Sequence, residues 1–232
     1  MRLYRNERLI KWNKFLGRLM MFGGLGASFA AVIIVFLRPT LFSLALGLML
    51  TGGLFSQLGT ALHNRFGHSP RIDQVLDDSL KGLGENYALF HYYLGTNHAL
   101  VTPAGVFALI PRNEQGEILY ESGKWIHKRG KRRFGRSRKT LRDLERNAET
   151  ETKELKKALT KKLPNHSETP INPLLVFYAN DTTIASDGLP IPATHRKKLK
   201  SYIRRIERRK SLSTEEIHQL ASTFKIVADN TD

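Results

Sequence analysis

Two adjacent stretches without a charged residue constrain this chain more than any other feature of its sequence. Residues 19–37 form an uncharged stretch of 19 residues, and residues 41–62 form a second stretch of 22. The tripeptide Arg-Pro-Thr at positions 38–40 separates them. A bilayer core of about 30 Å is crossed by about 20 helical residues, so each stretch is long enough to span it. The sequence therefore predicts a transmembrane helical hairpin over residues 19–62 rather than a buried hairpin of a soluble protein.

The segment that precedes the hairpin, residues 1–18, is strongly basic. It contains six Lys or Arg residues and a single acid, Glu7. Leu9, Trp12 and Leu16 share one helical face, which predicts a basic N-terminal segment that lies along the lipid headgroups. The alternative is a cleaved signal peptide, but the apolar run is longer than a signal core and a second span follows it directly.

The distribution of positive charge predicts the orientation of the hairpin. Six basic residues precede the first span, whereas the short connection between the spans carries only Arg38. Basic residues are enriched on the cytoplasmic side of membrane spans. We therefore expect a protein of the cell membrane with two spans and with both its N- and C-termini in the cytoplasm.

Small residues recur at every fourth position within the two stretches. The two sets are Gly23, Ala27 and Ala31, and Gly52, Ser56 and Thr60. Small side chains at this spacing let two helices approach closely in lipid, so we expect these residues to form the contact between the spans. Neither stretch contains an ionisable side chain, which leaves a transport pathway or proton relay without its usual groups.

The rest of the chain has the size of one soluble domain. Residues 63–70 are a predicted exit linker, and residues 71–232 are a predicted cytoplasmic domain. The whole chain has a formal net charge of +16 and no cysteine. This charge indicates phosphate partners, either nucleic acid or anionic lipid headgroups. The lack of cysteine excludes disulfides, thiolate catalysis and cysteine-based zinc sites.

The hydrophobic pattern of residues 71–232 predicts an α/β domain. Predicted helices cover residues 73–94, 138–162, 193–209 and 214–228. Predicted strands cover residues 99–102, 106–110, 118–121, 174–178 and 182–185. The core order is therefore helix, three strands, helix, strand, in which the three strands form a meander behind the first helix.

Three segments of this domain carry a resemblance to a known family. They are Gly-Leu-Gly-Glu at 82–85, the predicted hairpin at 97–107, and residues 116–125. Together they resemble the nuclease-related domain family, called NERD, over about residues 72–126, and element order extends the likeness to 170–228. The resemblance implies an αβββαβ core of the restriction-endonuclease-like fold, here preceded by two transmembrane helices.

The family's chemistry does not carry over to this sequence. Members with an intact site resemble metal-dependent hydrolases, in which an Asp and a Glu hold a divalent cation that activates water, and a Lys two residues after the Glu orients the nucleophile. The matching positions here are Asn97, Ile110 and Arg112, and only Glu85 is retained. Ile offers no ligand atom, and Arg stays protonated. The resemblance therefore implies a catalytically degenerate domain with no catalytic residue, metal site or cofactor.

Basic residues concentrate in two parts of the domain. Residues 124–146 contain eleven Lys or Arg, and residues 196–210 contain nine. Gly130 and Gly135 predict that residues 128–138 form a flexible basic loop that orders on a polyanion. The predicted nucleic-acid contacts are Lys128, Arg129, Lys131, Arg132, Arg133, Arg136 and Arg138.

Three functions from different classes follow. The first is a membrane-anchored, degenerate NERD-like protein that binds DNA, RNA or another polyanion through its basic segments. The second is an active nuclease that uses Mg²⁺ or Mn²⁺ at a site shifted to Glu114 or Glu117. The third is a membrane scaffold that binds anionic lipid, at about 1 kcal/mol per basic residue near the surface, or a protein partner that the sequence does not identify. The resemblance favours the first.

Overall fold

The computed structural model describes residues 1–93, 95–132, 135–162, 169–185, 188–207, 215, 217–219 and 222. These residues divide into two compact units. One unit is the hairpin, Glu7–Ile72, and the other combines Met1–Asn6 with Asp73–Asp232. The first six residues therefore belong to the α/β unit and not to a separate N-terminal segment at the membrane surface.

The hairpin unit consists of two long helices. Helix α1 (Glu7–Leu37) and helix α2 (Phe42–Phe66) are joined by a short 3-10 turn at Pro39–Leu41. Both helices are long and apolar enough to cross a membrane. Their outward faces expose large apolar side chains, among them Phe36, which is 82% exposed. The basic residues that follow Glu7 form the first turns of α1 and not a separate helix.

Helices α1 and α2 contact each other through small residues spaced seven apart. The buried small residues are Gly17, Gly24 and Ala31 on α1, and Ala45, Gly52 and Gly59 on α2. A Cβ atom at Gly24 would lie 2.4 Å from the carbonyl oxygen of Gly52, so at this point the two backbones are almost in contact. A seven-residue repeat keeps the same faces of two helices together along their length.

The predicted contact residues of the hairpin are only partly correct. Ala31 and Gly52 are buried, but Gly23 and Thr60 are exposed. The Thr60 hydroxyl donates to the Ser56 carbonyl oxygen of its own helix and not across the contact. A four-residue spacing selects a row that winds away from the partner helix, whereas the observed row repeats every seven residues.

The α/β unit contains three helices and ten strands among its described residues. The helices are α3 (Ile72–Leu80), α4 (Leu144–Lys162) and α5 (Arg196–Glu207). The strands of the first sheet are β1 (Arg2–Arg5), β2 (Ala88–His91), β3 (His98–Thr102), β4 (Gly105–Arg112), β8 (Ile171–Phe177) and β10 (Ala193–His195). The strands of the second sheet are β5 (Gly116–Glu121), β6 (Lys124–Arg132), β7 (Gly135–Thr140) and β9 (Thr182–Ile184).

The first sheet is mixed and has the order β1-β2-β3-β4-β8-β10. Strand β3 pairs antiparallel with both β2 and β4, and β8 runs parallel to β4. Side chains alternate between the two faces of a sheet, so Phe90, Val101 and Ala108 lie on one face and Leu89 and Leu100 on the other. The first face packs against α4, and the resulting cluster is the main hydrophobic core.

The prediction of a single helix over residues 73–94 is wrong. Helix α3 ends at Leu80, and Gly82 follows with a φ of +78°, a conformation that glycine adopts without strain. Residues 88–91 form strand β2, which lies between β1 and β3 and whose side chains are buried on both faces of the sheet. The apolar residues keep a helical spacing beyond Leu80 because Leu83 and Tyr87 are also buried. These two residues lie in the connection between α3 and β2 and not in a helix.

The predicted three-stranded meander contains a different third strand. Predicted strands 99–102 and 106–110 are confirmed as β3 and β4, but residues 118–121 belong to β5 in the second sheet. The antiparallel set is therefore β2, β3 and β4. Predicted strands 174–178 and 182–185 are confirmed within one to three residues as β8 and β9.

The prediction of a flexible basic loop at residues 128–138 is wrong for the described backbone. Strands β6 and β7 pair as an antiparallel hairpin with Lys128 opposite Arg138. The buried side chains of Trp125 and Ile126 fix β6 in the second sheet, and the ladder to β7 continues from there. The helix predicted to begin at residue 138 begins at Leu144 because residues 135–140 are β7.

Several predictions fall on parts of the chain outside the described residues. Arg133 is one of them, and the side chains of Lys131, Arg132 and Arg136 are likewise not described. Of the helix predicted at 214–228, residues 215, 217–219 and 222 are described and are helical.

Candidate functional site

Asn97, the first position that the family resemblance implies is degenerate, is hydrogen-bonded to a carboxylate of α4. The Asn97 side-chain amide donates to Oε1 of Glu151, and its backbone N–H donates to Oε2 at 3.0 Å. The Thr96 hydroxyl donates to the same Oε2 at 2.6 Å. Glu151 therefore fixes the segment that enters β3. Nothing in the sequence separates Glu151 from the other glutamates of α4, so this contact could not be predicted.

The other two positions that the resemblance implies are degenerate, Ile110 and Arg112, lie on β4. Ile110 is 5% exposed and belongs to the hydrophobic core, where it meets no polar partner that a metal would need. Arg112 forms ion pairs with Glu114 and with Asp143, the latter at 2.9 Å. Burial lowers the pKa of the Arg112 guanidinium, but hydrogen bonds and attraction from these two carboxylates outweigh burial, and the net effect is a raised pKa.

The carboxylates near these positions do not fit a metal cage. Glu151 accepts hydrogen bonds from the segment before β3, and Glu114 and Asp143 are held by Arg112. Within the described ranges, no group of three His, Asp or Glu side chains is placed to hold a metal ion. Glu85, which the resemblance implies is retained, is exposed in the turn between α3 and β2. Glu117, the other residue of the shifted-site hypothesis, is exposed on β5.

The β6–β7 hairpin projects beyond its sheet. Strand β5 pairs with β6 as far as Lys128, and from Arg129 onward β6 pairs with β7 alone. We call residues 128–139 the basic arm. The four residues of β6 beyond Lys128, at about 3.3 Å each, extend roughly 13 Å past the paired part of β5.

Charged side chains lie on both faces of the basic arm. Lys128 and Arg138 lie on one face, where both form ion pairs with Glu121, at 3.2 and 2.7 Å. Arg129 and Lys139 alternate with them and point to the opposite face. Both are exposed, and neither forms an ion pair with a carboxylate in the described part of the chain.

Helix α5 has one buried face and two flanks, and each flank contacts a different part of the protein. Leu199 and Ile203 are buried. On one flank, Lys200 donates to the Lys81 carbonyl oxygen at 2.8 Å and Arg204 donates to the Gly82 carbonyl oxygen at 3.2 Å. These carbonyls follow the end of α3, so this flank stabilises a helix terminus. The other flank borders a cleft.

The cleft lies between β9, β10 and α5 and has a volume of about 1040 Å³. Lys197, Lys198 and Arg205 line it from the second flank of α5. Tyr202 lies among them with the Arg205 guanidinium 5.5 Å from its ring centroid. Burial raises the pKa of the Tyr202 hydroxyl, and the nearby Arg205 opposes this effect in part. The helix predicted over residues 193–209 begins only at Arg196, because Ala193–His195 form β10. The strand that borders the cleft was therefore not predicted.

A second polar cluster is buried under the N-terminal strand. Arg5 of β1 forms ion pairs with Asp73 and Asp77 of α3, the first at 2.8 Å. Asp77 accepts a hydrogen bond from His91 Nε2 at 2.8 Å, and His91 Nδ1 lies 2.7 Å from His98 Nδ1. The sequence did not predict the cluster because residues 2–5 were expected in a membrane-surface arm, whereas they form an edge strand parallel to β2.

Comparisons of the chain with protein-family models, with curated proteins and with solved structures find no match. The class of protein is therefore defined by its own architecture. It is a mixed helix-and-sheet unit attached to two helices that are long and apolar enough to cross a membrane.

Proposed function

We propose that this chain is a membrane-anchored, NERD-like protein that has lost hydrolysis and binds duplex nucleic acid through the basic arm. The observation that carries the binding proposal is the projection of β6 and β7 beyond β5 with cationic side chains on both faces. The major groove of B-DNA admits a two-stranded β-ribbon. A ribbon of this kind places cations near the phosphates of both strands at once.

The order of elements supports the restriction-endonuclease-like part of the proposal. The αβββαβ order expected for that fold matches α3-β2-β3-β4-α4-β8 when β5, β6 and β7 are treated as an insertion. The antiparallel pairing of β2, β3 and β4 and the parallel addition of β8 are consistent with it.

The state of the three substituted positions supports loss of hydrolysis. Ile110 lies in the apolar core, Asn97 is hydrogen-bonded to Glu151, and Arg112 is held by two carboxylates. A divalent cation needs several oxygen ligands that are free to turn toward it, and at these positions the oxygens already accept protein hydrogen bonds.

The N-terminal strand supports the proposed topology. Met1–Asn6 and the residues from Asp73 onward form one unit, so the chain that enters α1 and the chain that leaves α2 end in the same domain. A hairpin of two spans with this connectivity has both ends on one side of the membrane. The basic residues before the first span favour the cytoplasmic side of the cell membrane.

The proposal is tested with the full chain in nanodiscs of zwitterionic lipid. Fluorescence anisotropy measures the affinity for a labelled DNA duplex and a labelled RNA duplex, and gel analysis measures cleavage with Mg²⁺ or Mn²⁺. We expect binding without cleavage, and we expect the arm variant Arg129→Ala/Lys139→Ala to weaken binding by roughly tenfold, since two charge-assisted contacts are removed.

The matched control removes the same charge elsewhere. Lys153 and Lys157 are exposed on α4, and the variant Lys153→Ala/Lys157→Ala should leave the affinity almost unchanged. Equal weakening by the two variants would indicate attraction by net charge and would overturn the arm as the binding site. Metal-dependent cleavage that disappears on Glu117→Gln would instead favour the active-nuclease alternative.

A further inference from the structure

The cleft beside α5 has a cationic rim of Lys197, Lys198 and Arg205, of which Arg205 also lies over the ring of Tyr202. Lys200 and Arg204 on the other flank are engaged by carbonyl oxygens, whereas Lys197, Lys198 and Arg205 form no ion pair or side-chain hydrogen bond within the described ranges. Positions 197, 201 and 205 are spaced four apart, so both ends of this flank present a cation to the cleft. Among the described residues that line the cleft, none is acidic.

His195, the last residue of β10, is held by the backbone on both sides of its ring. Its Nε2 donates to the Ala179 carbonyl oxygen at 2.8 Å, and its Nδ1 accepts a hydrogen bond from the Lys197 backbone N–H at 3.3 Å. Both ring nitrogens are therefore engaged within the protein, and the rim that faces a ligand consists of Lys197, Lys198 and Arg205.

Part of the cleft lining is apolar, and we call this part its floor. Ile184, Leu189 and Ala193 line it and also pack against the hydrophobic core. Tyr202 adds a half-buried aromatic ring. Ligand pockets combine apolar surface with polar groups that fix the orientation of the ligand, and this cleft offers both, with polar and charged side chains in the majority. An inorganic anion would engage the rim and leave the apolar floor in contact with water.

We propose that the cleft between β9, β10 and α5 binds a small phosphate monoester that carries an aromatic or other apolar group. The phosphate contacts Lys197, Lys198 and Arg205, and the apolar group lies against Ile184 and the ring of Tyr202. A nucleoside monophosphate and a phosphatidic-acid headgroup with its first acyl carbons both have this chemistry. The site is separate from the basic arm and takes a small molecule rather than a polymer.

Isothermal titration calorimetry of the full chain in zwitterionic nanodiscs tests the proposal. The probes are AMP, adenosine, inorganic phosphate and water-soluble dihexanoyl phosphatidic acid. We expect AMP or dihexanoyl phosphatidic acid to bind at least ten times more tightly than inorganic phosphate, because only these two engage both rim and floor. Tighter binding of AMP identifies a nucleotide as the source, and tighter binding of the lipid identifies a headgroup. If neither binds more tightly than inorganic phosphate, the proposal is wrong.

Variants locate the binding in the cleft. Lys198→Ala/Arg205→Ala should weaken the preferred probe at least tenfold, whereas Lys153→Ala/Lys157→Ala, with the same loss of charge on α4, should not. Tyr202→Leu should weaken the preferred probe but not inorganic phosphate. An unchanged affinity in Lys198→Ala/Arg205→Ala would overturn the assignment. Duplex DNA binding is measured on the same samples. A cleft variant that loses the small ligand should still bind duplex DNA through the basic arm, so failure of this proposal is distinguishable from failure of the proposed function.

Discussion

Replacement of Arg5 by Ala should destabilise the α/β unit although Arg5 lies at the very start of the chain. Its guanidinium pairs with Asp73, whose side chain is fully buried, and with Asp77, which is 18% exposed. These carboxylates lie four residues apart on one face of α3. Without Arg5 they lose the guanidinium that pairs with both of them, and they repel each other. Removal of one partner from a buried ion pair costs about 3–5 kcal/mol.

The magnitude for Arg5→Ala is at the lower end of that range. The Arg5 side chain is 20% exposed, so water screens part of the interaction, and we expect a loss of about 3 kcal/mol. For a domain of this size each kcal/mol lowers the melting temperature by about 2–4 °C, which gives a decrease of roughly 6–12 °C.

Tryptophan fluorescence during heating of the full chain in detergent measures this decrease. The chain has two tryptophans, and Trp12→Phe leaves Trp125, which is 1% exposed in the core, as the sole reporter. Arg2→Ala is the matched control because Arg2 is an exposed arginine of the same strand, and its loss should change the free energy of unfolding by less than about 0.5 kcal/mol. Equal melting temperatures for Arg5→Ala and Arg2→Ala would refute the reasoning.

Three further predictions concern the basic arm, the hairpin and the ion pairs of β4. Glu121→Gln should strengthen duplex binding in anisotropy titrations, because it releases two arm cations, and weaker binding would contradict this. Gly24→Ala should lower the temperature at which α1 and α2 lose helicity in circular dichroism, whereas Gly23→Ala, whose added Cβ meets open space, should not. The hydrogen bond from Arg112 lowers the pKa of Asp143, so its stabilisation is present above its unfolded pKa of about 3.9 and is lost as pH falls further. Asp143→Asn should therefore flatten the decline of the melting temperature between about pH 4 and pH 2, and an unchanged decline would contradict this.

The parts of the fold that were predicted from sequence are those with an uninterrupted local pattern. The uncharged stretches gave the two helices of the hairpin, and the apolar run at β8 gave its strand. Strand β2 was missed because its four residues are buried on both faces and continue the helical spacing of α3. Alternation cannot reveal a strand of this kind when both faces are covered.

Strand β1 and the basic arm were missed for a different physical reason. Residues 2–5 carry two arginines and gain their strand conformation from β2, which is more than eighty residues away in sequence. Strands β6 and β7 carry mostly Lys, Arg and Gly beyond Ile126, a composition that is typical of unpaired segments. In both cases long-range pairing overrides local propensity, which is common for strands.

The candidate site was predictable in its charge and not in its geometry. The cluster of basic residues at 124–146 indicated the basic arm as a candidate site. The sequence did not reveal that Glu121 forms ion pairs with both Lys128 and Arg138. The family resemblance directed attention to Asn97 and Arg112, but their partners follow from tertiary packing alone. These partners are Glu151 on α4, Glu114 in the β4–β5 connection and Asp143 just before α4.

The salt dependence of duplex DNA binding tests the central claim most directly. Each phosphate contact releases counterions and adds about 0.9 to the slope of log K against log salt concentration, so the arm variant Arg129→Ala/Lys139→Ala should flatten the slope by roughly 2 relative to the native chain. The control Lys153→Ala/Lys157→Ala should keep the native slope. An arm variant with the native slope and the native affinity would mean that the arm makes no phosphate contact, and it would contradict the account.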